Sequence, residues 1–462
     1  MADSMTAQSH DVVIIGAGLA GLSAAYHLQE AGASFGLYER DAEVGGLCRS
    51  FHRKGFTFDC TGHLMHFRRP EVKTLVERLM GDALIAHQRR AAIYSHGVYT
   101  DYPFQANTFG LPVEVVKECL MGFIEAWGER ERARPGSRAA RPAKHFLEWV
   151  RRTFGRGIAD HFMVPFNEKL WLRSLDQLSC DWGGGWLIPV PNLEEVVQGA
   201  LGMTNRKMGY NPSFFYPKEG GIQRYPESFA RRISRIELNH QVTAIDLGRR
   251  VVQFEGGRSI GYRRLISTMP LPELARRATG ISSVLRRSIE RLPYVSVTNV
   301  NLGVARQGLS PYHWIYFPEA RFPFYRVGFP SNLSETAAPA GHSLISVESS
   351  HLPGRAPESQ QAIHQAVGGL QAANVLRTDD RLVLQEVVEI PYAYVIFDHL
   401  RQRGLPKILQ ALRRLGVWSI GRYGAWEHSS MEDAVWQGKS VAESMTAAGG
   451  KRPRRPSRAR RR

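Results

Sequence analysis

The sequence predicts an α/β protein in which a doubly wound domain carries a helical insertion and a lobe made of antiparallel β-sheet. Near the N-terminus, the short apolar run Val12–Ile15 opens a strand–helix–strand pattern, as expected of a buried parallel strand. Helical periodicity is strong from His145 to Leu172, and several β-rich segments follow from Val295 to Glu348. This order of elements predicts one doubly wound domain assembled from several segments, together with two other lobes.

Three glycines follow the first strand at the spacing G-x-G-x-x-G. Gly16 allows a tight turn, Gly18 lets the backbone approach a pyrophosphate, and Gly21 lets the following helix pack closely on the strand. The helix is predicted over residues 19–31 and the second strand over residues 35–38. Glu39 ends that strand, where a carboxylate can bind the hydroxyl groups of a ribose. The pattern predicts a dinucleotide site, and the alternative is a glycine-rich turn without a ligand.

A second glycine turn distinguishes between FAD and NAD. Gly45, Gly46 and Leu47 follow the acid by a few positions, a placement typical of FAD oxidoreductases. FAD is long, so a site composed of separated segments is expected, and two distant strand–turn segments at residues 263–274 and 416–426 support this. We therefore predict a Rossmann-like FAD-binding domain. Its cofactor-binding residues are predicted to be Gly16, Gly18, Gly21, Glu39, Gly45, Gly46, Leu47, Gly62, Gly221, Val242, Gly421 and Arg422.

The chain is strongly basic, with a formal net charge of +17 over 462 residues. The C-terminal segment Lys451–Arg462 carries eight of these positive charges and is predicted to be a disordered tail. The remaining +9 suits an anionic small substrate such as a nucleotide, but an arginine-rich proteome would explain it equally well. We expect no nucleic-acid partner.

Cysteine spacing and hydropathy exclude several classes of protein. Cys48, Cys60, Cys119 and Cys180 form no C-x-x-C pair, so neither a zinc site nor a dithiol motif is predicted, and no metal is expected. No apolar run reaches about 18 residues, so no transmembrane helix is expected. The first ten residues lack the apolar core of a signal peptide, and we expect a cytoplasmic protein.

Six segments make up the predicted organisation. Residues 1–100, 214–275 and 415–450 would form the FAD-binding domain. Residues 101–213 would form a helical substrate lobe, residues 276–414 an antiparallel sheet and substrate lobe, and residues 451–462 the basic tail.

Uncommon aromatic clusters in one order give the chain a resemblance to a known family. The sequence resembles the UDP-galactopyranose mutases, particularly their eukaryotic-type branch, within the wider superfamily of flavin amine oxidases and protoporphyrinogen oxidases. The resemblance spans most of residues 10–445. The matching stretches include "FDCTGHLMHF", "HQRRAAIYSHGVYTDYPFQAN", "FLEWVRRTFGRGIADHFMVPFNEKLW", "WIYFPEARFPFYRV", "YAYVIFD" and "IGRYGAWEHSSMEDAVWQG".

The resemblance implies roles for individual residues. His63 would lie beside the flavin, and Arg326 would bind the diphosphate of the substrate with charge-assisted hydrogen bonds; we predict these two as the catalytic residues. The other predicted substrate-binding residues fall into a group for the uracil nucleotide and a group for the diphosphate. The nucleotide group is Tyr102, Phe104, Gln105, Asn167 and Trp171, and the diphosphate group is Tyr316, Tyr394 and His428.

At three positions the chain departs from the family pattern. Trp186 stands where a second diphosphate-binding arginine is expected, and His428 stands where a tyrosine is expected. Ser430 falls near an expected asparagine or aspartate. Loss of one arginine would cost about 1.5–3 kcal/mol for each charged hydrogen bond, although a protonated His428 could partly compensate.

Three functions follow as expectations. The resemblance implies an FAD-dependent isomerase that interconverts the pyranose and furanose forms of a UDP-linked sugar with reduced flavin, so that NAD(P)H or a reductase is needed as electron source. The three departures favour an alternative, an oxidase or dehydrogenase of the amine oxidase type. A flavin-bound scaffold whose basic tail docks a partner is the third possibility, and an oligomer is compatible with each of them.

Overall fold

The computed structural model describes residues 9–135, 141–181, 187–203, 208–209 and 211–447. Trp186 and the basic tail Lys451–Arg462, both singled out from the sequence, lie outside the described residues.

The strands are β1 (Ser9–Ile15), β2 (Phe35–Tyr38), β3 (Ser50–Arg53), β4 (Phe56–Asp59), β5 (Leu84–Gln88), β6 (Ala91–Ser95), β7 (Val98–Asp101), β8 (Ser213–Pro217), β9 (Val242–Asp246), β10 (Val251–Phe254), β11 (Ser259–Ser267), β12 (Ala278–Thr279), β13 (Tyr294–Val304), β14 (Trp314–Tyr316), β15 (Arg326–Gly328), β16 (Ser343–His351), β17 (Leu382–Val395) and β18 (Val417–Ser419).

The helices are α1 (Leu19–Glu30), α2 (Pro70–Met80), α3 (Val113–Glu131), α4 (Phe146–Ile158), α5 (Val164–Trp171), α6 (Leu193–Ala200), α7 (Arg224–Ala230), α8 (Leu271–Arg277), α9 (Ser283–Glu290), α10 (Ser359–Ala372), α11 (His399–Arg414), α12 (Gly421–Gly424) and α13 (Met431–Ala447). The chain divides into two compact units. Unit 1 comprises Met1–Gly46, Pro226–Ile289 and Leu409–Arg462, and unit 2 comprises Leu47–Tyr225 and Glu290–Ile408.

Unit 1 is built on a sheet with the strand order β12-β9-β10-β11-β1-β2, and β18 also pairs with β11. β1, β2, β11 and β18 run parallel, whereas β10 is antiparallel to both β9 and β11. The residues Val12, Val13 and Ile14 are completely buried, because helices cover a parallel sheet on both faces. This is the doubly wound domain that the N-terminal pattern predicts.

Helices α1 and α13 pack closely against each other in unit 1. Ser23 Oγ donates a hydrogen bond to the carbonyl of Val435 at 2.7 Å. A Cβ atom on Gly438 would lie 2.4 Å from the carbonyl oxygen of Ala20, so only glycine permits this approach of the two backbones. The last segment of the chain is thereby held on the helix that follows the glycine fingerprint.

Unit 2 contains a sheet of order β17-β13-β16-β15-β14-β6-β7. All neighbouring strands are antiparallel except β14 and β6. Helices α3 to α6 share a core with one part of this sheet, in which Phe123, Phe146 and Phe154 are completely buried. Truncating one such ring to alanine typically costs about 3–5 kcal/mol.

The α/β fold class with a helical insertion and an antiparallel lobe is confirmed. The first compact unit ends at Gly46, earlier than the predicted boundary at residue 100, because β6 and β7 pair into the antiparallel sheet of unit 2. The six-segment assignment of roles stays a prediction. In the part of the chain that the structure describes, no helix has the length and apolar character needed to cross a membrane.

Candidate functional site

The glycine fingerprint of unit 1 lies in the turn between β1 and α1. Gly16 has a φ of +95°, and a Cβ atom there would lie 2.1 Å from Thr268 Oγ1. A Cβ atom on Gly21 would lie 1.9 Å from the carbonyl oxygen of Gly16, so a larger side chain at either position would displace the turn. Helix α1 begins after Gly18 without a side-chain cap, which leaves its first N–H groups available to an anion.

Glu39 lies at the end of β2, beside the same turn. Its side chain is 6% exposed, and Oε2 accepts a hydrogen bond from the N–H of Ala17 at 2.6 Å, while Oε1 accepts one from Asp41 at 3.1 Å. Each carboxylate oxygen retains a lone pair that can accept a hydrogen bond from a ribose hydroxyl. The turn, the uncapped helix and this acid together fit the ADP half of FAD.

Three further predicted glycines lie at the fingerprint. The N–H of Gly45 donates to the carbonyl of Ala17 at 2.9 Å, which sets Gly45 and Gly46 beside Gly18. Gly421 has a φ of +80°, and a Cβ atom there would lie 3.1 Å from that of Ala20. The structure therefore brings chain segments from both ends of the sequence to one turn.

Other residues predicted in unit 1 lie elsewhere or have local roles. Val242 opens β9, which β10 and β11 separate from β1, and its carbonyl accepts a hydrogen bond from Arg277. Arg422 donates to the carbonyl of Ser429 at 2.8 Å and lies 3.4 Å from Nδ1 of His428. The ligand roles of Val242, Arg422 and His428 stay predictions.

Ser430, at the third departure from the family pattern, has a structural role. Its Oγ accepts a hydrogen bond from the N–H of Asp433 at 3.2 Å, and its own N–H donates to the Asp433 carboxylate at 2.9 Å. This reciprocal pair stabilises the start of α13, which explains a serine here without a ligand.

In unit 2, the centre of the candidate site is a buried ion pair between Arg326 and Glu348. The two residues lie opposite each other on β15 and β16. Arg326 donates to Glu348 Oε1 from Nε at 3.1 Å and from Nη2 at 2.6 Å, and Nη2 also lies 2.8 Å from Oε2. The Glu348 side chain is 3% exposed and that of Arg326 is 21% exposed.

The environment keeps Glu348 ionised. Burial alone would raise the pKa of its carboxyl group, but the adjacent guanidinium of Arg326 holds that pKa below its ordinary value. Tyr325 donates to Oε2 at 2.7 Å, and the N–H of Gly62 lies 3.4 Å from Oε1. Among the described residues, Nη1 of Arg326 makes no hydrogen bond, so this end of the guanidinium can bind an anion.

The predicted turn residue His63 follows Gly62 directly. Its Nδ1 lies 2.9 Å from the carbonyl of Thr61, and its ring is half-buried. Because Gly62 contacts Glu348, the structure places the predicted flavin-side turn next to the ion pair of Arg326. The two residues predicted as catalytic therefore belong to one neighbourhood of unit 2.

Aromatic contacts connect the predicted substrate residues of unit 2. The rings of Tyr102 and Tyr316 have centroids 5.6 Å apart, and those of Trp171 and Tyr394 are 5.8 Å apart. Tyr394 also contacts the ring of Tyr325 at 6.4 Å. Tyr316 pairs with Arg326 across β14 and β15, so this aromatic series reaches the ion pair.

Exposure divides the seven predicted substrate residues of unit 2 into two groups. Tyr102, Tyr316 and Tyr394 are half-buried and can contact a ligand directly. The other four are at most 4% exposed and pack inside the unit; they are Phe104, Gln105, Asn167 and Trp171. Their polar groups are used internally, since Gln105 donates to the carbonyl of Pro189 and Asn167 accepts from Trp171 Nε1.

Two predicted cofactor residues of unit 2 contribute to packing. Leu47 packs against the helical core. Gly221 has a φ of +68°, and a Cβ atom there would lie 2.2 Å from Ser50 Oγ. That serine donates to Asp59, which also accepts hydrogen bonds from Tyr216 at 2.8 Å and from the N–H of Ile222. Burial raises the pKa of the Asp59 carboxyl to about 6.

Sequence reasoning missed Glu348, Tyr325 and Asp59. The one available signal for Glu348 was a charged residue inside the otherwise apolar strand pattern "SLISVESSH", because a buried charge requires a partner. Its partner could not be identified, since the pairing of β15 with β16 depends on strand register.

Comparisons with known proteins identify the family. A sequence profile described as "Flavin containing amine oxidoreductase" matches residues 19–446. The chain belongs to this family. It is therefore a flavin-dependent enzyme of the amine oxidase superfamily, and FAD is its cofactor.

Individual relatives carry different activities in their names. A crystal structure of reduced UDP-galactopyranose mutase is 28% identical, with a TM-score of 0.87 over 96% of this chain and 97% of that chain. The protoporphyrinogen oxidase 2 of Arabidopsis thaliana is 24% identical over 49% of this chain and 48% of its own length, so the chain spans about half of that curated relative. A putrescine oxidase bound to putrescine shares the fold, with 16% identity and a TM-score of 0.66 over 96% of this chain and all of the oxidase chain.

Proposed function

We propose that the protein is an FAD-dependent isomerase that interconverts the pyranose and furanose forms of a UDP-linked sugar. The observation that supports this most directly is the cluster of half-buried tyrosines around Arg326 in unit 2. The likeness to UDP-galactopyranose mutase over nearly the full length of both chains supports the same activity.

The tyrosines suit a nucleotide-sugar. Tyr102 can place its ring against the flat face of a uracil, because aromatic rings favour offset stacking with other rings. Tyr316 and Tyr394 can donate hydrogen bonds through their hydroxyl groups to phosphate oxygens. The fully buried Phe104 stacks on Phe162 with centroids 5.0 Å apart, so we assign it the support of this surface, not direct contact with the ligand.

Arg326 is the cation that would hold the diphosphate. Its Nε and Nη2 groups are occupied by Glu348, which fixes the guanidinium plane and directs binding to Nη1. A pre-positioned arginine loses little side-chain freedom when the anion arrives. When bound, FAD supplies the chemistry at the sugar, and the residues of this chain bind and orient the substrate. NAD(P)H or a reductase is the proposed source of electrons.

The experiment compares one protein in two redox states. The FAD-loaded protein is reduced with dithionite under anaerobic conditions, incubated with UDP-galactopyranose, and the nucleotide-sugars are separated by chromatography. We expect the reduced protein to form a furanose product and the oxidised protein to form none. A titration with UDP, followed by flavin absorbance, reports binding separately from turnover. Absence of both product and spectral change would refute the isomerase.

An oxidase or dehydrogenase is the second candidate. The match to protoporphyrinogen oxidase 2 favours it, and so does the pairing of Arg326 with Glu348, which neutralises the positive charge available to a diphosphate. This candidate predicts that a substrate such as an amine bleaches the oxidised flavin stoichiometrically and that peroxide forms in air. If candidate amines leave the flavin oxidised while UDP-galactopyranose is converted, the isomerase stands and this candidate is excluded for those substrates.

A further inference from the structure

Lys169, on helix α5, holds the loop that joins β14 to β15 in unit 2. Its Nζ donates hydrogen bonds to three main-chain carbonyls, that of Phe317 at 2.8 Å, that of Phe324 at 3.3 Å and that of Glu319. An ammonium group has three N–H donors, so these carbonyls occupy all of them. Lys169 therefore has no donor left for a ligand, although its helix also carries the predicted nucleotide residue Trp171.

The carbonyls that Lys169 binds lie on both sides of this loop. Phe317 directly follows Tyr316, the last residue of β14. Phe324 comes shortly before Arg326, the first residue of β15. Both phenylalanines are completely buried, and a buried carbonyl group needs a hydrogen-bond donor. The ammonium therefore joins the two sides of the loop next to Tyr316 and Arg326, which are register partners across the hairpin.

Helix α5 contacts Tyr316 in a second way. Phe166 lies one helical turn before Lys169, so the two side chains share one side of the helix. The ring of Phe166 meets the ring of Tyr316 edge-on, with centroids 5.3 Å apart. One side of α5 therefore holds both the ring of Tyr316 and the main chain that follows it.

Lys169 is charged at neutral pH. Burial lowers the pKa of its ammonium group to about 8, and the carboxylate of Glu319 opposes this shift. At pH 7 the group therefore keeps the proton that its third hydrogen bond requires. A neutral amine would have two N–H donors, and a methionine in its place would have none.

We propose that Lys169 is a positioning residue of the candidate site: its ammonium group closes the loop between β14 and β15 and thereby fixes Tyr316 and Arg326 for a diphosphate. Groups that are fixed before binding lose little freedom when the ligand arrives. Lys169 therefore acts on the affinity for the ligand and not on the chemical step. The diphosphate rests on the proposed function, whereas the closure of the loop does not.

Hydrogen exchange, followed by mass spectrometry, tests the loop without a substrate. The FAD-loaded full chain is compared with Lys169→Met, which keeps the length of the side chain but donates no hydrogen bond. The amides of residues 317–326 should be protected in the wild type and should exchange about tenfold faster in the variant, while those of β13 are unchanged. Lys117→Met on α3, where the lysine side chain is 69% exposed, is the control and should leave this loop as in the wild type.

Binding of UDP, followed by flavin absorbance, tests the consequence for the site. Lys169→Met should raise the dissociation constant of UDP about tenfold and the KM for UDP-galactopyranose by a similar factor, with kcat reduced less than about threefold. A general loss of structure would instead weaken FAD binding and lower kcat as well. Lys117→Met should match the wild type in all these constants. Lys169→Gln, which keeps an amide donor, should change each constant in the same direction by a smaller factor.

Three results would overturn the proposal. The first is wild-type exchange of residues 317–326 at the rate of an unstructured peptide, a measurement that needs no variant. The second is unchanged exchange of this loop in Lys169→Met, or in Lys169→Gln if the methionine variant does not fold. The third is a variant whose loop exchanges faster but whose UDP affinity is that of the wild type. If the wild type itself binds no UDP, the proposed function fails, and the exchange data still decide whether Lys169 closes the loop.

Discussion

The two units assemble their candidate binding residues in different ways. In unit 1, the central turn comes from one continuous stretch, in which Gly16, Gly18 and Gly21 lie within six residues of sequence. In unit 2, Gly62 lies 286 residues before Glu348 in the sequence, and Arg326 and Glu348 lie 22 residues apart on neighbouring strands. A site made of backbone groups, such as the glycine turn, can therefore be specified by a short stretch of sequence. An ion pair between side chains on two strands depends on how those strands pair.

The largest expected effect is a loss of stability when the buried ion pair of Arg326 and Glu348 in unit 2 is broken. Glu348→Gln should destabilise the protein by about 3–5 kcal/mol, because it leaves the guanidinium of Arg326 partly buried without its counter-charge. The change in urea midpoint of unfolding measures it. Glu114→Gln is the control, since Glu114 pairs with Lys117 at the surface, with 72% and 69% exposed side chains, and such pairs contribute about 0–1 kcal/mol. Equal shifts of the urea midpoint in Glu348→Gln and Glu114→Gln would contradict the larger contribution of the buried ion pair.

A pH titration compares two acids within unit 2. The pKa of Asp59 is raised to about 6 by burial, so the folded protein binds this proton more tightly than the unfolded chain, and the contribution of Asp59 to stability falls as the pH rises from about 4 to 6. The total change is on the order of 2–3 kcal/mol. Relative to the variant Asp59→Asn, the urea concentration at the midpoint of wild-type unfolding should therefore fall over this pH range.

Asp380 should show the opposite sign and serves as the control. Its hydrogen-bonded partner Arg306 lowers the pKa of the Asp380 carboxyl, so its stabilisation is present above the unfolded pKa and disappears as the pH falls. Relative to Asp380→Asn, the urea concentration at the midpoint of wild-type unfolding should increase as the pH rises. If the difference from Asp59→Asn and the difference from Asp380→Asn changed with pH in the same direction, the opposite pKa shifts of the two acids would be refuted.

A smaller effect is expected at the local site of unit 1. Gly21→Ala should weaken FAD binding by roughly tenfold to a hundredfold, because overpacking costs about 1–3 kcal/mol and the new Cβ would lie 1.9 Å from the Gly16 carbonyl oxygen. Flavin fluorescence during reconstitution of the apoprotein measures the dissociation constant. Gly368→Ala on α10, where an added Cβ has no atom within 4 Å, should bind FAD as the wild type does, and wild-type affinity in Gly21→Ala would show that the turn can move at little cost.

The smallest expected effect concerns the ribose. Glu39→Gln keeps the shape of the side chain but replaces one acceptor oxygen with an NH₂ group, so we expect FAD affinity to fall about fivefold to tenfold, equivalent to roughly 1 kcal/mol. The same reconstitution assay measures it, with free FMN as a ligand that lacks the adenosine ribose. FMN affinity should be unaffected, and an equal loss for both flavins would contradict a contact with that ribose.

Much of unit 1 was predictable because its signals are local. The second strand at residues 35–38 and the helix after Gly18 were placed correctly to within one residue, since glycine spacing and apolar runs specify them over short distances. The unit boundary at Gly46 was not predicted, because nothing local shows that β6 pairs with β14, more than 200 residues away in sequence.

By itself the sequence determined the fold class, the family and the cofactor, and it singled out Arg326, Tyr316 and Tyr394. Only the tertiary structure decided that Glu348 neutralises Arg326 and that Phe104 and Trp171 are buried inside unit 2. The physical reason is that strand register and burial arise from packing between distant segments, which no stretch of residues specifies on its own.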